Sequence, residues 1–305
     1  MVRGITLTVI LGVLGVQAIA QQPAPTSPPD IHNDGAPIIV AGARQYDIRS
    51  RINGETYRVM VSTPFRADPA VAYPVLYVLD GNSWFGTMNE ALSKQFSNRV
   101  TAPAILVAIG YPTDDLSEWG SRRNYDLTFA KDRAPNAQGR SGGADLFLRI
   151  IEEEIKPFVA SRYNVDRARQ IIWGHSLGGL TALRSLFRNP TAFSTYILSS
   201  PSIWYNDRDV LADEEAFSKR ARGRELHLKI LITSAGDEQY RGTDPQRLAA
   251  ETNRQVDNAS ALAERLKALN PGNITVARTI FDGEVHNTVA SASLSRALRF
   301  ALPRE

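Results

Sequence analysis

The stretch Gln170-Ile171-Ile172-Trp173-Gly174-His175-Ser176-Leu177-Gly178-Gly179 decides the fold of this chain. A short run of strand length leads into a glycine, a serine two places on and two further glycines. An apolar helical pattern over residues 177–188 starts at once. A strand passes straight into a helix only through a tight turn. That turn holds its central residue in a strained backbone conformation, with the side chain exposed above the sheet and glycines making room on either side. The bare spacing Gly-x-Ser-x-Gly arises by chance in about one chain of this length in ten, since glycine makes up ~7% of residues. The strand before it and the helix after it are what make Ser176 read as a nucleophile rather than a loop serine between packing glycines.

On the N-terminal side, residues 44–51 and 55–62 alternate apolar and polar positions around Asn53-Gly54, which predicts an antiparallel hairpin with a tight turn. Residues 73–79 and 104–109 are continuous apolar runs. Strands apolar on both faces call for a sheet covered by helices on both sides. Residues 144–162 carry Leu146, Phe147, Ile150, Ile151, Ile155, Phe158 and Val159 at helical spacing. Beyond the elbow, strands over 194–199, 226–234 and 274–281 are joined by helices over 259–269 and 291–300. The expected architecture is α/β: an α/β-hydrolase fold with a mostly parallel central sheet, an N-terminal antiparallel hairpin and helices on both faces.

The first twenty residues read as a signal peptide. Met1-Val2-Arg3 is a short positive start, Ile5 to Val16 is almost wholly apolar, and Ala18-Ile19-Ala20 supplies the small residues of a cleavage site before Gln21. The run is shorter than the ~20 apolar residues that span a bilayer, so export to the periplasm or medium is expected, without stable membrane insertion after cleavage. Residues 21–37, rich in proline and polar residues, read as a disordered spacer. The catalytic domain then occupies 38–305. With 43% hydrophobic residues in 305, the chain holds enough apolar material for one large core, and it has no cysteine. The net charge of +3, with Lys and Arg scattered, argues against nucleic acid as a partner. Neither a cofactor nor a metal is expected, as there are no paired histidines at ligand spacing and no Gly-rich phosphate loop. Oligomeric state leaves no mark on the sequence.

A serine hydroxyl needs a base. Of the four histidines, His32 lies in the spacer, His175 inside the elbow with its side chain expected to point away from the line of attack, and His227 within a strand. His286, in Gly283-Glu284-Val285-His286-Asn287, follows the last strand and precedes the last helix, where this fold places its base. The acid should follow residues 226–234, where Asp237 and Glu238 compete. Asp237 is preferred as shorter, stiffer and nearer the strand end, while Glu238 reaches further. The oxyanion hole requires two backbone N–H groups. Leu177 is one candidate and Asn82 the other, with Gly81 and Ser83 as alternatives. Residues 111–143 are too long for a plain connection and predict a wall or lid. Its Trp119, Arg122, Arg123 and Tyr125 suit an aromatic or anionic acyl group, and Ser202 to Trp204 would line the opposite side.

Five blocks carry a family resemblance: residues 75–82, residues 123–128, the elbow at 174–179, Ser200-Pro201-Ser202-Ile203-Trp204, and residues 283–287. Over about residues 44–300 the chain resembles the esterase D-type esterases, nearest to the periplasmic trilactone esterases that hydrolyse enterobactin-like siderophores. The resemblance implies Ser176 and His286 as the working pair. It also matches Glu238 at least as well as Asp237, and includes members that resemble a dyad with no effective acid. One departure stands out: the block at 123–128 normally ends in proline, and this chain has Phe129. The implied activity is hydrolysis of a small-molecule carboxylic ester through an acyl-enzyme, on siderophore trilactones or other aromatic esters. Acyl transfer of the mycolyltransferase type is the alternative. An inactive hydrolase fold used for binding is a further reading, against which the intact Ser176, His286 and glycines argue.

Overall fold

Residues on either side of Asn53-Gly54 alternate in burial as they do in polarity, and form β1 (Ala43–Arg49) and β2 (Thr56–Ser62). They pair antiparallel from Ala43 opposite Ser62 to Arg49 opposite Thr56. Gly54 takes a left-handed φ of 75° in the turn, a conformation that costs glycine little. The computed structural model describes residues 39–129, 140–222, 226–240, 242–269 and 273–304. The expected leader and spacer at 1–20 and 21–37 lie outside the described residues. Val40–Glu305 is one compact unit.

After the hairpin the chain runs β3 (Tyr73–Val78), α1 (Gly81–Ser97), β4 (Ile105–Gly110) and α2 (Leu116–Asp126). The helix expected over 144–162 is α3 (Ala144–Ile150) and α4 (Lys156–Ala160) with a π-helical turn, Ile151–Ile155, between them. Then come β5 (Val165–His175), α5 (Leu177–Arg188), β6 (Thr195–Ser199), α6 (Tyr205–Arg208), α7 (Val210–Ala221) and β7 (Leu228–Ala235). The chain continues through α8 (Pro245–Ala250), α9 (Gln255–Ala268), β8 (Ile274–Phe281) and α10 (Val289–Ala301). His227 precedes β7 instead of lying within a strand.

The eight strands form one sheet in the order β1-β2-β4-β3-β5-β6-β7-β8. The β1–β2 and β2–β4 pairs are antiparallel and the rest parallel. Two apolar layers hold it. On one face Leu180, Leu183, Phe217 and Leu262 from α5, α7 and α9 pack against Val75, Tyr77, Ile172 and Ile230. On the other, Met88 and Leu92 of α1 and Leu294 and Leu298 of α10 cover Leu76, Val78, Trp173 and Leu231. Both layers are used because consecutive residues of the central strands point to opposite faces. The chain reverses its winding between β3 and β5, and in such sheets the crevice at the carboxyl ends of the strands beside that reversal is where ligands bind.

Candidate active site

At the end of β5 the backbone turns through Ser176 at φ 60°, ψ −119°, and α5 starts at the next residue. A Cβ on Gly174 would lie 2.2 Å from the carbonyl oxygen of Gly178, and one on Gly179 3.0 Å from Cα of Pro201. The two glycines are therefore what allow strand, helix and the β6 loop to meet. The Ser176 N–H still donates to the Ser199 carbonyl at 2.9 Å, so the turn stays attached to β6 on one side and to α5 on the other.

Three side chains from three strand ends meet here. His286 Nε2 lies 2.9 Å from Ser176 Oγ, and His286 Nδ1 lies 2.8 Å from Glu238 Oε2. The other carboxylate oxygen, Oε1, accepts from the Ala235 N–H and from the Ser200 hydroxyl, each at 2.9 Å. An ionised carboxylate only accepts, so the arrangement suits the tautomer in which Nδ1 donates to Glu238 and Nε2 accepts from the serine hydroxyl. It is Glu238, and not the preferred Asp237, that the structure brings to His286. The Asp237 amide donates to the Glu284 carbonyl at 3.0 Å and its side chain is exposed, while Glu238, one residue on, returns over the strand end with its side chain 1% exposed. The turn that carries these residues needs the longer side chain to span back to the imidazole.

His175 does not face the serine; it packs against the other histidine. The two imidazole centroids are 4.8 Å apart, His175 Nδ1 lies 3.2 Å from Ser199 Oγ, and Trp84 closes over the ring edge-on. Burial above all, and then the nearby charges of His286 and Arg123, push its pKa down to about 3. His175 is therefore held neutral.

Two helix N-termini lie side by side at the serine. Asp80, at φ 57°, caps α1, and its Oδ2 would sit 3.4 Å from a Cβ on Gly178 in the first turn of α5. First-turn N–H groups have no intrahelical acceptor, which makes such a junction receptive to negative charge. Leu177 and Asn82 both hold first-turn positions. Ser83 is removed from the alternatives because its N–H donates to the Asp80 carbonyl at 2.9 Å. The Asn82 side chain is occupied elsewhere, accepting from the Tyr111 N–H at 2.7 Å and donating to the Tyr111 carbonyl at 2.9 Å. The backbone N–H groups of Asn82 and Gly81 are what remain of the candidates.

The α2 wall differs from its sequence-based reading. Arg123, expected to grip a substrate, forms a two-pronged pair with the buried Asp80 (2.7 and 2.9 Å), its guanidinium 5.6 Å from the Trp119 ring centroid. Arg122 donates to the Thr56 carbonyl at 2.7 Å and covers Tyr111 and Tyr57. Tyr125 packs its ring on Gly143 and under Arg140, bracing the base of its own loop. Arg122, Arg123 and Tyr125, which looked like a binding surface, are spent on attaching α2 and its flanks, because α2 buries only Asp126 and has no apolar face with which to dock. Trp119 is half-buried and borders a cleft of about 360 Å³ with Asn82, Ser83 and residues 113–116. Trp204, two residues beyond Ser202, is half-buried, its ring centroid 6.2 Å from that of Tyr205. Phe129, in the place of the usual proline, lies 4.0 Å beneath the guanidinium of the buried Arg184 and so belongs to the packing. Among the described residues no cluster of His, Asp and Glu could hold a metal ion.

The sequence reading passed over three polar residues here: Asp80, Ser200 as a partner of the acid, and Ser202 as a neighbour of the nucleophile. Their signals were position at a strand end and membership of the blocks at 75–82 and 200–204, neither of which says which polar group each side chain would meet.

A sheet of this order, entered by an antiparallel hairpin and carrying a serine on a strand-to-helix turn, is an α/β-hydrolase fold. The profile of the family described as "Putative esterase" matches residues 50–272. The chain is 36% identical over 271 residues to the ferri-bacillibactin esterase BesA of Bacillus subtilis, covering 86% of this chain and 90% of that one. It is 34% identical over 279 residues to the siderophore triacetylfusarinine C esterase of Aspergillus fumigatus, covering 86% and 94%. The crystal structure of the BES protein from Bacillus cereus superposes with a TM-score of 0.78 at 33% identity, covering 89% of this chain and all of that one. The chain belongs to this esterase family and is an ester hydrolase.

Proposed function

We propose that this protein is a serine esterase that opens the ester bonds of siderophores through an acyl-enzyme. The observation that carries the reading is the unbroken line Glu238–His286–Ser176, with contacts of 2.8 and 2.9 Å. As Ser176 Oγ bonds to the ester carbonyl carbon, its proton passes to His286 Nε2, and Glu238 stabilises the resulting imidazolium through Nδ1–H. The N–H groups of Leu177 and Asn82 receive the developing oxyanion. Collapse breaks the ester C–O bond, the leaving oxygen takes the proton from Nε2, and water repeats the cycle to free the acid. Siderophore esters are the substrate class because relatives similar over most of the chain bear that activity in their names. Trp119, at the cleft beside Asn82, and Trp204, on the turn after β6, are the aromatic surfaces offered to the substrate. The leader at 1–20 places the enzyme outside the cytoplasm, released before Gln21.

The test is hydrolysis of ferric and metal-free trilactone siderophores followed by mass spectrometry, with Ser176→Ala in parallel. Linear products from the wild type and none from the variant are expected. Turnover of simple aryl esters with no siderophore cleavage would reject the substrate class, and activity in Ser176→Ala would reject the mechanism. N-terminal sequencing of protein from its native host should begin at Gln21, and a retained Met1 would reject export.

A further inference from the structure

We infer that Ser202 is a further catalytic residue, whose hydroxyl donates to Ser176 Oγ and stabilises the negative charge on that atom as it attacks and as it leaves. The inference rests on Ser176 being the nucleophile. Ser202 Oγ lies 3.3 Å from Ser176 Oγ in a residue 1% exposed, on the turn that follows β6. Its backbone is tied to the same place, since the Ser202 N–H donates to the Ser176 carbonyl at 3.1 Å.

The direction of this contact follows from counting protons. His286 Nδ1–H is committed to Glu238, so Nε2 accepts, and the single proton of Ser176 goes to it. Ser176 Oγ has no proton left for Ser202. Ser202 must therefore be the donor. A contact of 3.3 Å between neutral hydroxyls is long, and hydrogen bonds to an ionised oxygen shorten to about 2.5–2.7 Å and strengthen about twofold. The interaction thus gains as charge builds on Ser176 Oγ, which is the condition for accelerating a step and not merely binding. In acylation the Ser176 proton moves to Nε2 while Oγ bonds to carbon. In deacylation the bond from Oγ to carbon breaks and the proton returns. Ser202 keeps its own proton throughout.

The turn is built to hold that hydroxyl still. Ser200 sits at φ 38°, a left-handed conformation unfavourable for a serine. Nε2 of the buried Gln255 donates to the carbonyls of both Ser200 and Pro201, at 2.7 and 2.9 Å. One turn therefore sends the Ser200 hydroxyl to the acid and the Ser202 hydroxyl to the nucleophile.

The experiment compares Ser202→Ala and Ser202→Thr with the wild type and Ser176→Ala. It reads kcat and KM for p-nitrophenyl acetate, the rate at which a fluorophosphonate labels Ser176, and the melting temperature. Ser202→Ala should melt like the wild type while losing about 10- to 100-fold in both kcat and labelling rate, the range for a hydrogen bond to a charged group, with KM within about threefold. Ser202→Thr, which keeps the hydroxyl, should recover most of both rates. Wild-type rates in a folded Ser202→Ala, or equal losses in Ala and Thr, would overturn the role of Ser202. If Ser176→Ala is itself active, the serine mechanism falls instead.

Discussion

The ends of β5, β6, β7 and β8 supply polar groups that finish on one another across up to 110 residues of chain: Ser176 on His286, His286 on Glu238, Ser200 on Glu238. The α2 wall above them has a comparable stock of polar and aromatic groups but spends it on its own attachment, with Arg123 on Asp80 and Arg122 on the Thr56 carbonyl. The strand ends are positioned by the sheet, so their side chains are free to do chemistry. A helix with a buried aspartate and no apolar stripe has to be anchored by its charges.

The largest effects should come from the strand ends. Ser176→Ala and His286→Ala should each lower kcat by at least about 10⁴-fold, and the double variant should be no worse, because the pair acts as a unit. An additive double variant in steady-state kinetics would break the picture of one relay. Glu238→Gln should cost about 10³-fold by leaving the imidazole without its orienting carboxylate, while Asp237→Asn stays within about twofold. The reverse ranking would restore the aspartate.

The arginines of the wall should answer in stability rather than in substrate choice. Arg123→Ala strands the Asp80 carboxylate, 3% exposed, and should destabilise the fold by about 3–5 kcal/mol in urea unfolding. Asp80→Asn in the same chain should recover part of that loss. Any fall in kcat/KM should be equal for siderophore lactones and short aryl esters. A selective rise in KM for the lactones at unchanged stability would show that the wall grips substrate after all.

The smallest effect separates the two histidines. The folded-state pKa of His175, near 3, lies below the 6.5 of an unperturbed histidine. The unfolded chain therefore binds the extra proton, and the contribution is fully present above pH 6.5 and lost as pH falls from 6.5 toward 3. Relative to His175→Gln, the wild type should lose roughly 1 kcal/mol between pH 7.5 and 5.5 in parallel denaturation curves. Identical slopes would mean that His175 is not buried neutral.

What was legible in the sequence was what local rules govern. The elbow needed only Gly174, Ser176 and the runs on either side, since a strand-to-helix turn has few solutions. The hairpin needed Asn53-Gly54 and alternation, and the central strands announced burial on both faces by being apolar throughout. Helices α1 and α2 were not legible because each buries few residues, only Gly81, Met88 and Leu92 in the first and Asp126 in the second, leaving no 3.6-residue stripe to read.

The sequence by itself set the order serine, carboxylate, histidine along the chain and the strand ends that bear Ser176 and His286, because these follow from periodicity and connection order. Only the tertiary structure brought Glu238 rather than Asp237 to His286, turned Arg123 inward onto Asp80, and set Ser202 Oγ 3.3 Å from Ser176 Oγ. Those outcomes depend on how far a side chain must reach, and which buried charge must be paired, once distant strand ends are held beside one another. Distances of that kind have no counterpart in the spacing of residues along a chain.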